Sequence, residues 1–520
     1  MFVTSSGSNV FRINIFDLSN PSSPGVIGTV DFSSTFGAPS AMLALSSVGV
    51  DPLGRFGVAS LIPANNTGTA GQVGFFNLAT GAVIGTANVG FHPDSLTFST
   101  DGSRLVVVNE GEFNPASSTN APGSISVFDL SGINSGNLAS LPSLSATTRD
   151  FSSGNLAAGV SLSGLRNPGI APVGTSGTFI NTVPDFTQAA NIQFEGMEPE
   201  FATIVGNNVY VSLQENNAIA QYNLLSNQWT AVDQLQKIIQ LVDASDQDGG
   251  VSVNDSVKGI PMPDTVASYT VGGTTYIVTA NEGDARGDDR DISRFGDTSG
   301  NDDMDPILDT NYPTDASGIR ANTELGRLNV SRIDGDTDAD GKIDEINMLG
   351  TRSFSIWAKT DSGLTLAYDS GAFFEQYIRD NDLVGFMDGR SDDKGPEPEG
   401  LTLGVIDGRT FLFVGMERTN GIFMFDVTDP NAPVFVDYIR VEDGSNTPMR
   451  PEGFAFVSAA DSPTGENLLI VGFEGDGTNV GAERVAIFSV IPEPQTYALI
   501  GVGMVLLCRK LRRRRQAPVA

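Results

Sequence analysis

One cysteine and one histidine in 520 residues remove whole classes of chemistry. Neither a zinc finger, a His-rich metal centre, a Cys–His nucleophile nor a disulfide framework can be assembled from Cys508 and His92. His92 stands in FHPDSL at an expected strand start, where a turn residue is the plainer reading than a general base. Any metal site made by the chain alone must use oxygen donors, and hard oxygen donors select calcium or magnesium. Cations are scarce too: 30 Lys and Arg face 62 Asp and Glu, and six of the thirty (Arg509, Lys510 and Arg512 to Arg515) crowd into the last dozen residues. Such a surface repels phosphate backbones and excludes nucleic acid as a partner. It favours cations, basic partners or mineral surfaces, with plain solubility in a salty or extracellular setting as the bland reading. Long apolar runs are also missing. The stretch from Tyr497 to Cys508 has 12 residues, short of the ~20 that span a bilayer.

What the chain has in abundance is repetition. An alternating strand ending in a small polar turn recurs seven times: RINIFDLSN, VGFFNLATG, SISVFDLSG, AIAQYNLLSN, RSFSIWAKT, GIFMFDVTD and RVAIFSVIP. Period-two alternation closed by Asx and Thr turns marks half-buried strands. Most copies are preceded by another strand (RLVVVNE, NVYVSLQE, TYIVTANE, TFLFVGME, NLLIVGFE) and, before that, a shorter one. A four-stranded meander repeated about seven times predicts an all-β fold, a seven-bladed β-propeller over residues 1–490 with long loop insertions. Gln228 to Val242 has helical spacing and predicts a rim helix, and Ala372 to Arg379 predicts another helical turn. Residues 131–190 read as a surface excursion, and 284–325 as an Asp-rich stretch without pattern.

Acidic residues recur at two places in the repeat. Five second strands end in Glu (Glu110, Glu215, Glu282, Glu417, Glu474), and three inner strands open on Pro/Glu clusters: GMEPEF (Glu198, Glu200), GPEPEG (Glu397, Glu399) and RPEG (Glu452). In a propeller both places lie on one face, so the carboxylates are expected to ring one mouth. Like charges converging there need a cation, an Arg or a proton. ANEGDAR adds Asp284 and Arg286, RSDDKGPEPEG adds Arg390 and Lys394, and Arg418 and Arg450 lie in the same loops. Arg–Glu pairing and metal binding therefore stand as equal readings. Separately, DTDADGKID places Asp336, Asp338, Asp340 and Asp344 at positions 1, 3, 5 and 9 of a calcium-loop pattern with Gly341 at position 6. Asn347 occupies position 12, where a bidentate Glu is usual, so a calcium-stabilised β-loop is expected rather than a sensor hand.

NEGDAR and RSDDKGPEPEG, with GDTDADGKIDE, GTRSFSIW and YDSG, resemble the choice-of-anchor I family, alkaline-phosphatase-like or phytase-like propellers similar to mesenchyme-specific surface glycoproteins. The end of the chain, VIPEP followed by the apolar stretch and RKLRRRR, resembles a PEP-CTERM sorting signal over residues 491–520. That resemblance implies export to the cell envelope of a Gram-negative bacterium. It also implies initial anchoring in the inner membrane by a short C-terminal apolar and basic helix, and processing by an exosortase. The N-terminus opens directly in strand pattern, so an export signal and at least one further strand are expected upstream. Two functions stay open. One is an envelope-anchored, calcium-dependent binding or matrix module that takes envelope components or polysaccharide through its acidic face. The other is a calcium-dependent phosphoesterase, in which metals held by Glu282, Asp284, Glu397, Glu399 and Glu452 activate water and Arg286, Lys394 and Arg450 contact a phosphate ester. Its candidate catalytic residues are Glu397, Glu399, Lys394 and Arg450.

Overall fold

The computed structural model describes residues 1–7, 10–111, 113–114, 119–166, 196–285, 291–297, 308–309, 311–313, 315, 317–338, 342–381, 388–440, 449–475 and 484–490. Seven antiparallel meanders follow one another along these residues. The first contains Phe2–Gly7, Val10–Asp17 and Gly25–Asp31. The second contains Gly57–Pro63, Gln72–Phe76 and Val83–Asn88, with two short strands, Met42–Ala44 and Val48–Val50, pairing along Gly57–Pro63. Four full strands build the third (Pro93–Phe98 to Thr147–Asp150), fourth (Pro199–Val205 to Gln228–Gln234), fifth (Val266–Val271 to Gly363–Asp369) and sixth (Pro398–Ile406 to Val434–Arg440). Three strands, Pro451–Val457, Asn467–Phe473 and Arg484–Val490, form the seventh.

The opening strand of each sheet packs on its counterpart in the next, from Val48–Val50 through Pro93–Phe98, Pro199–Val205, Val266–Val271 and Pro398–Ile406 to Pro451–Val457. The result is an all-β, propeller-like arrangement in which both faces of an internal sheet are covered by its neighbours. That covering explains why the alternating strands, expected to be half-buried, are buried nearly throughout, as in Ser124–Asp129 and Gly421–Asp426, and why the strands before them are buried as well. Val106, Val107 and Val108 are all fully buried, and so is every residue of Gly57–Pro63. A strand buried on both faces reads as a continuous apolar run.

Aromatic side chains fill the space between sheets. Trp229 stacks on Phe151 with ring centroids 4.2 Å apart, and its indole N–H donates to the Asp150 carbonyl at 2.9 Å. Strand glycines make room for such rings: a Cβ on Gly74 would sit 2.3 Å from Phe32. Helix Phe373–Asp380 forms where the helical turn is expected and buries Phe374 and Ile378 against Phe354, Phe423 and Phe425.

The rim helix expected over Gln228 to Val242 is instead two strands, Gln228–Gln234 and Ile238–Val242. Trp229, Val232 and Leu235 meet helical spacing, but the first segment completes the fourth sheet beside Ala218–Asn223, and ladder pairing with burial of Trp229 outweighs the spacing. Residues 131–166 are not wholly an excursion, because Thr147–Asp150 supplies the fourth strand of the third sheet, and residues 167–190 lie outside the described residues. Residues 284–325 are not wholly without pattern either, since Ile292–Arg294 pairs with Asn329–Ser331. Beside this pair, Ile238–Val242, Asp255–Ile260 and Asn347–Leu349 make a small additional sheet, whose last two strands run parallel. Residues 491–520, including the expected C-terminal helix, lie outside the described residues, and among the latter no helix is long and apolar enough to cross a membrane.

Removing the ring of Phe374 leaves a void among four aromatic neighbours, Phe354, Phe373, Phe423 and Phe425. Phe374→Ala is expected to destabilise the protein by about 3–5 kcal/mol, read as a lower urea midpoint; an unchanged midpoint would show that the helix does not belong to the core.

Candidate functional site: an acidic cavity

The opening strands share a local device. Pro93, Pro199, Pro398 and Pro451 each begin their strand, and just after each the register with the second strand slips by one residue. Proline suits a first position because it has no N–H to give the ladder, and the bulge turns the next side chain out of the strand's normal alternation. That next residue is acidic every time: Asp94, Glu200, Glu399 and Glu452. Pro263 and Asp264 repeat the dipeptide just ahead of Val266–Val271. In four of the five cases the residue before the proline is a non-glycine in the left-handed region: His92 (φ 47°), Met262 (φ 49°), Glu397 (φ 54°) and Arg450 (φ 55°). Three of those residues accept, at their carbonyl, the backbone N–H of the glutamate that ends the second strand. Glu110 donates to His92 at 2.9 Å, Glu417 to Glu397 at 2.8 Å and Glu474 to Arg450 at 3.0 Å. Backbone pairing thus brings the two acidic places together, one from each strand.

The outcome is a cavity of about 340 Å³. Five of its carboxylates come from the Pro–acid dipeptides (Asp94, Glu200, Asp264, Glu399, Glu452), three from second-strand ends (Glu110, Glu215, Glu282), and Glu198 and Asp284 complete the lining. No Lys or Arg lines it among the described residues. Glu282, Asp284 and Glu110 lie beside a cationic or titratable group: Lys394 Nζ is 2.6 Å from Glu282 and 3.0 Å from Asp284, and His92 Nδ1 is 3.0 Å from Glu110. Gln214 donates to Glu282 at 3.0 Å. Glu215 is only 7% exposed, and its Oε2 has no hydrogen-bond partner among the described residues.

One oxygen each from Asp264, Glu282 and Glu399 lies within 4.8 Å of the others. At that separation and an effective dielectric near 20, each ionised pair repels by about 3 kcal/mol. The trio therefore takes up protons or shares a cation. Burial, reinforced by the neighbouring carboxylates, drives Glu200, Glu215, Asp264 and Glu399 well above the usual carboxylate range. Burial also raises Glu282, with Lys394 opposing it.

Glu397 has the opposite environment. Burial opposes its ionisation, but Lys394, Arg390 and Arg418 overcome that and hold it at about 2. Lys394 stands 3.2 Å and Arg418 3.0 Å away, and Arg390 also bonds it. Glu417 next to this hub is pushed up to about 8 by burial and by Glu397, which Arg418 at 3.0 Å only partly offsets. Arg450 contacts Glu417 at 3.5 Å and Glu474 at 3.4 Å. The structure therefore divides the expected set. Glu198, Glu200, Glu282, Asp284, Glu399 and Glu452 line one cavity, whereas Glu397, Lys394 and Arg450 belong to an ion-paired border. Arg286 lies outside the described residues.

The calcium-loop candidate is separate. Asp336, Asp338 and Asp344 gather oxygens within 4.8 Å, while Asp340 lies outside the described residues. Thr337 closes the loop by donating its N–H and hydroxyl to Asp344 at 2.9 and 2.8 Å. Asn347, at position 12, is buried and donates to the Asp334 carbonyl at 2.8 Å. A four-residue helix and a strand flank the loop, not a helix pair.

Asp94 and Asp264 escaped the reading of the sequence because HPDS and MPDT lack the Glu that marks the other openings. The signal that finds them is a proline followed by any acid at the start of an inner strand: Pro93-Asp94, Pro199-Glu200, Pro263-Asp264, Pro398-Glu399 and Pro451-Glu452.

Fold and site together define a propeller-like domain with a carboxylate-lined cavity where its opening strands begin. The chain belongs to the choice-of-anchor I family, whose domain matches residues 1–430. It is 30% identical over 235 residues to the mesenchyme-specific cell surface glycoprotein of Strongylocentrotus purpuratus, covering 37% of this chain and 30% of that one. It is 26% identical over 216 residues to gigasin-3a of Magallana gigas, covering 35% of this chain and 73% of that one. The match thus spans less than a third of the sea-urchin glycoprotein's length. Among solved structures, hydrazine synthase of Kuenenia stuttgartiensis aligns with a TM-score of 0.42 at 10% identity, covering 94% of this chain and 92% of that one. The WD40 domain of Toxoplasma gondii coronin aligns with a TM-score of 0.42 at 8% identity, covering 95% and 79%.

The raised carboxylates make stability depend on pH with a defined sign. A group whose folded pKa lies above its unfolded value near 4.3 stabilises the fold in full below that value and loses the contribution as pH rises through the folded pKa. Without divalent cations, the melting temperature is therefore expected to fall between about pH 5 and pH 8.5, the span up to and through the folded pKa of Glu417 at about 8. Glu397 works in the reverse sense, and its contribution is lost only as pH falls towards 2. A flat cation-free profile in differential scanning fluorimetry would contradict the crowding of buried carboxylates.

Proposed function

We propose that the protein is an exported, surface-associated binding module whose seven sheets act as blades around one axis, and that its acidic cavity holds calcium. The observation that supports this most directly is the ten-carboxylate cavity with no basic residue in its lining among the described residues, combined with the buried, unpartnered Oε2 of Glu215. Oxygen-only donors of this density suit a hard divalent ion, and Ca–O distances of 2.3–2.6 Å allow three oxygens within 4.8 Å of one another to share one. A bound ion would offset the repulsion that protons otherwise relieve, and positions it left open would be available to an acidic partner. The name of the sea-urchin cell surface glycoprotein supports the surface location. The PEP-CTERM-like tail supports a route through an exosortase to the envelope, with a transient hold in the inner membrane.

The phosphoesterase reading is weaker on this geometry. Lys394 is committed to Glu282, Asp284 and Glu397, and Arg450 to Glu417 and Glu474, so the described cations assigned to phosphate are already engaged. Glu397, placed among both the metal ligands and the catalytic candidates, anchors Lys394, Arg390 and Arg418 instead.

Calorimetric titration of the full chain with calcium tests the reading. An Asp264→Asn/Glu399→Gln variant is expected to bind at least tenfold more weakly, a loss of about 1.4 kcal/mol or more. An Asp336→Asn/Asp338→Asn variant should spare that event and remove a separate, weaker one. Absence of calcium heat in the intact protein would sink the module. Calcium-dependent phosphate release from an aryl phosphate, abolished by Glu399→Gln, would transfer the case to the enzyme.

A further inference from the structure

A second cavity, of about 490 Å³, opens beside the acidic one and shares Asp284 and Ala285 with it. Its chemistry differs. Arg294 and Lys394 bring positive charge, Ser293 and Asn329 neutral hydrogen-bonding groups, and Ile292 and Leu349 apolar surface. Arg294 is held in place: its Nη1 donates to Asp392 at 2.5 Å and to the Arg327 carbonyl at 2.5 Å. Among the described residues no bond uses its Nε or Nη2, and the side chain is 37% exposed. A guanidinium fixed at one nitrogen with another edge available is pre-oriented for a carboxylate. Asn329 is likewise fixed, donating to Asp393 at 3.0 Å.

Resting on the calcium reading of the neighbouring cavity, we propose that this second cavity is the sugar subsite for an acidic polysaccharide of the uronate class. Its volume suits a small-molecule site. Mixed donors and acceptors, with Asp297 and Asp393 as acceptors for vicinal hydroxyls, match a polyol, and the apolar patches match the C–H faces of a pyranose. Those same two carboxylates oppose a phosphate dianion more strongly than a singly charged uronate carboxylate, and among the described residues no aromatic side chain lines the cavity to stack a base. One uronate carboxylate reaches across the shared wall of Asp284 and Ala285 to complete the coordination of the cation, and a second meets Arg294. The cation and the guanidinium then read the spacing of negative charges along the chain, so a neutral polymer of the same rings is rejected.

The experiment is a titration of the full chain with an oligogalacturonate, in the presence of calcium and then of chelator. A neutral oligogalactose and inositol hexakisphosphate serve as comparison ligands. Oligogalacturonate is expected to bind only with calcium. Arg294→Ala should weaken that binding about tenfold, the loss of one charge-assisted contact, while the calcium isotherm stays as in the wild type. Arg294→Lys should recover part of the affinity, and an unchanged calcium isotherm in both variants shows that they fold. Calcium heat without oligogalacturonate binding overturns the sugar subsite and leaves the cation site standing; absence of calcium heat overturns both. Equal binding of the neutral oligomer, preference for inositol hexakisphosphate, or indifference to Arg294→Ala each overturns the uronate assignment.

Discussion

Repulsion among buried carboxylates is the constraint around which this molecule is arranged. Backbone hydrogen bonds at His92, Glu397 and Arg450 bring the opening of one strand against the end of the next, and both positions carry an acid. The fold therefore works against its own electrostatics at each such crossing. Proteins keep such a clash when something compensates it, and here the left-handed, non-glycine residues before proline add backbone strain of order 1 kcal/mol each at the same points. Neither the strain nor the charge repulsion adds to stability by itself, and their recurrence at these positions supports the binding role proposed for the cavity.

Compensation is divided in space. Around Glu397, three cations neutralise one buried carboxylate, so that corner is stable as an ion-pair cluster and asks for no ligand. Within the cavity, Lys394 reaches Glu282 and Asp284 from one side, and the lining beyond contributes no base among the described residues. Lys394 thus marks the boundary between a region satisfied by protein charges and one that is not. Arg–Glu pairing, one of the two alternatives read from the sequence, is thus present at this border, and the cation proposed for the cavity would lie beside it.

Much of the fold was legible because meander repeats carry their signature in short range: alternation, Asx turns and a Glu at the strand end. The seven third-strand motifs all fall in seven successive sheets. Gln228 to Val242 misled because Trp229 and its neighbours satisfy helical spacing, while the force that decides their conformation, a ladder with Ala218–Asn223, comes from a segment the local pattern does not display. The additional sheet was invisible for a related reason, since Asn347–Leu349 pairs in parallel with a strand some ninety residues earlier. At the site, acids next to Pro-Glu motifs were found, but Asp94 and Asp264 were missed because the search followed the residue type and not the position. Which acids have cationic partners was not readable at all. Lys394 lies three residues from Glu397 in sequence and also meets Glu282, 112 residues away.

The same logic explains why the inserted segments lie where they do. Buried Arg166 bonds Asp334, just ahead of the Asp336–Asp344 loop, at 2.6 Å; it also bonds Asp291 and the backbone carbonyl of Glu215. One guanidinium thus joins the inserted strands to the wall of the acidic cavity. Burying that charge is tolerable because two carboxylates and a carbonyl surround it. By using the Glu215 carbonyl as an acceptor, Arg166 fixes the glutamate's backbone without bonding its carboxylate, whose Oε2 has no partner among the described residues. An ion pair with that carboxylate would have relieved part of the repulsion that the proposed cation is suited to offset. Glu110, Glu417 and Glu474 are also positioned through their main-chain N–H groups, but unlike Glu215 they have His92, Arg418 and Arg450 beside their carboxylates.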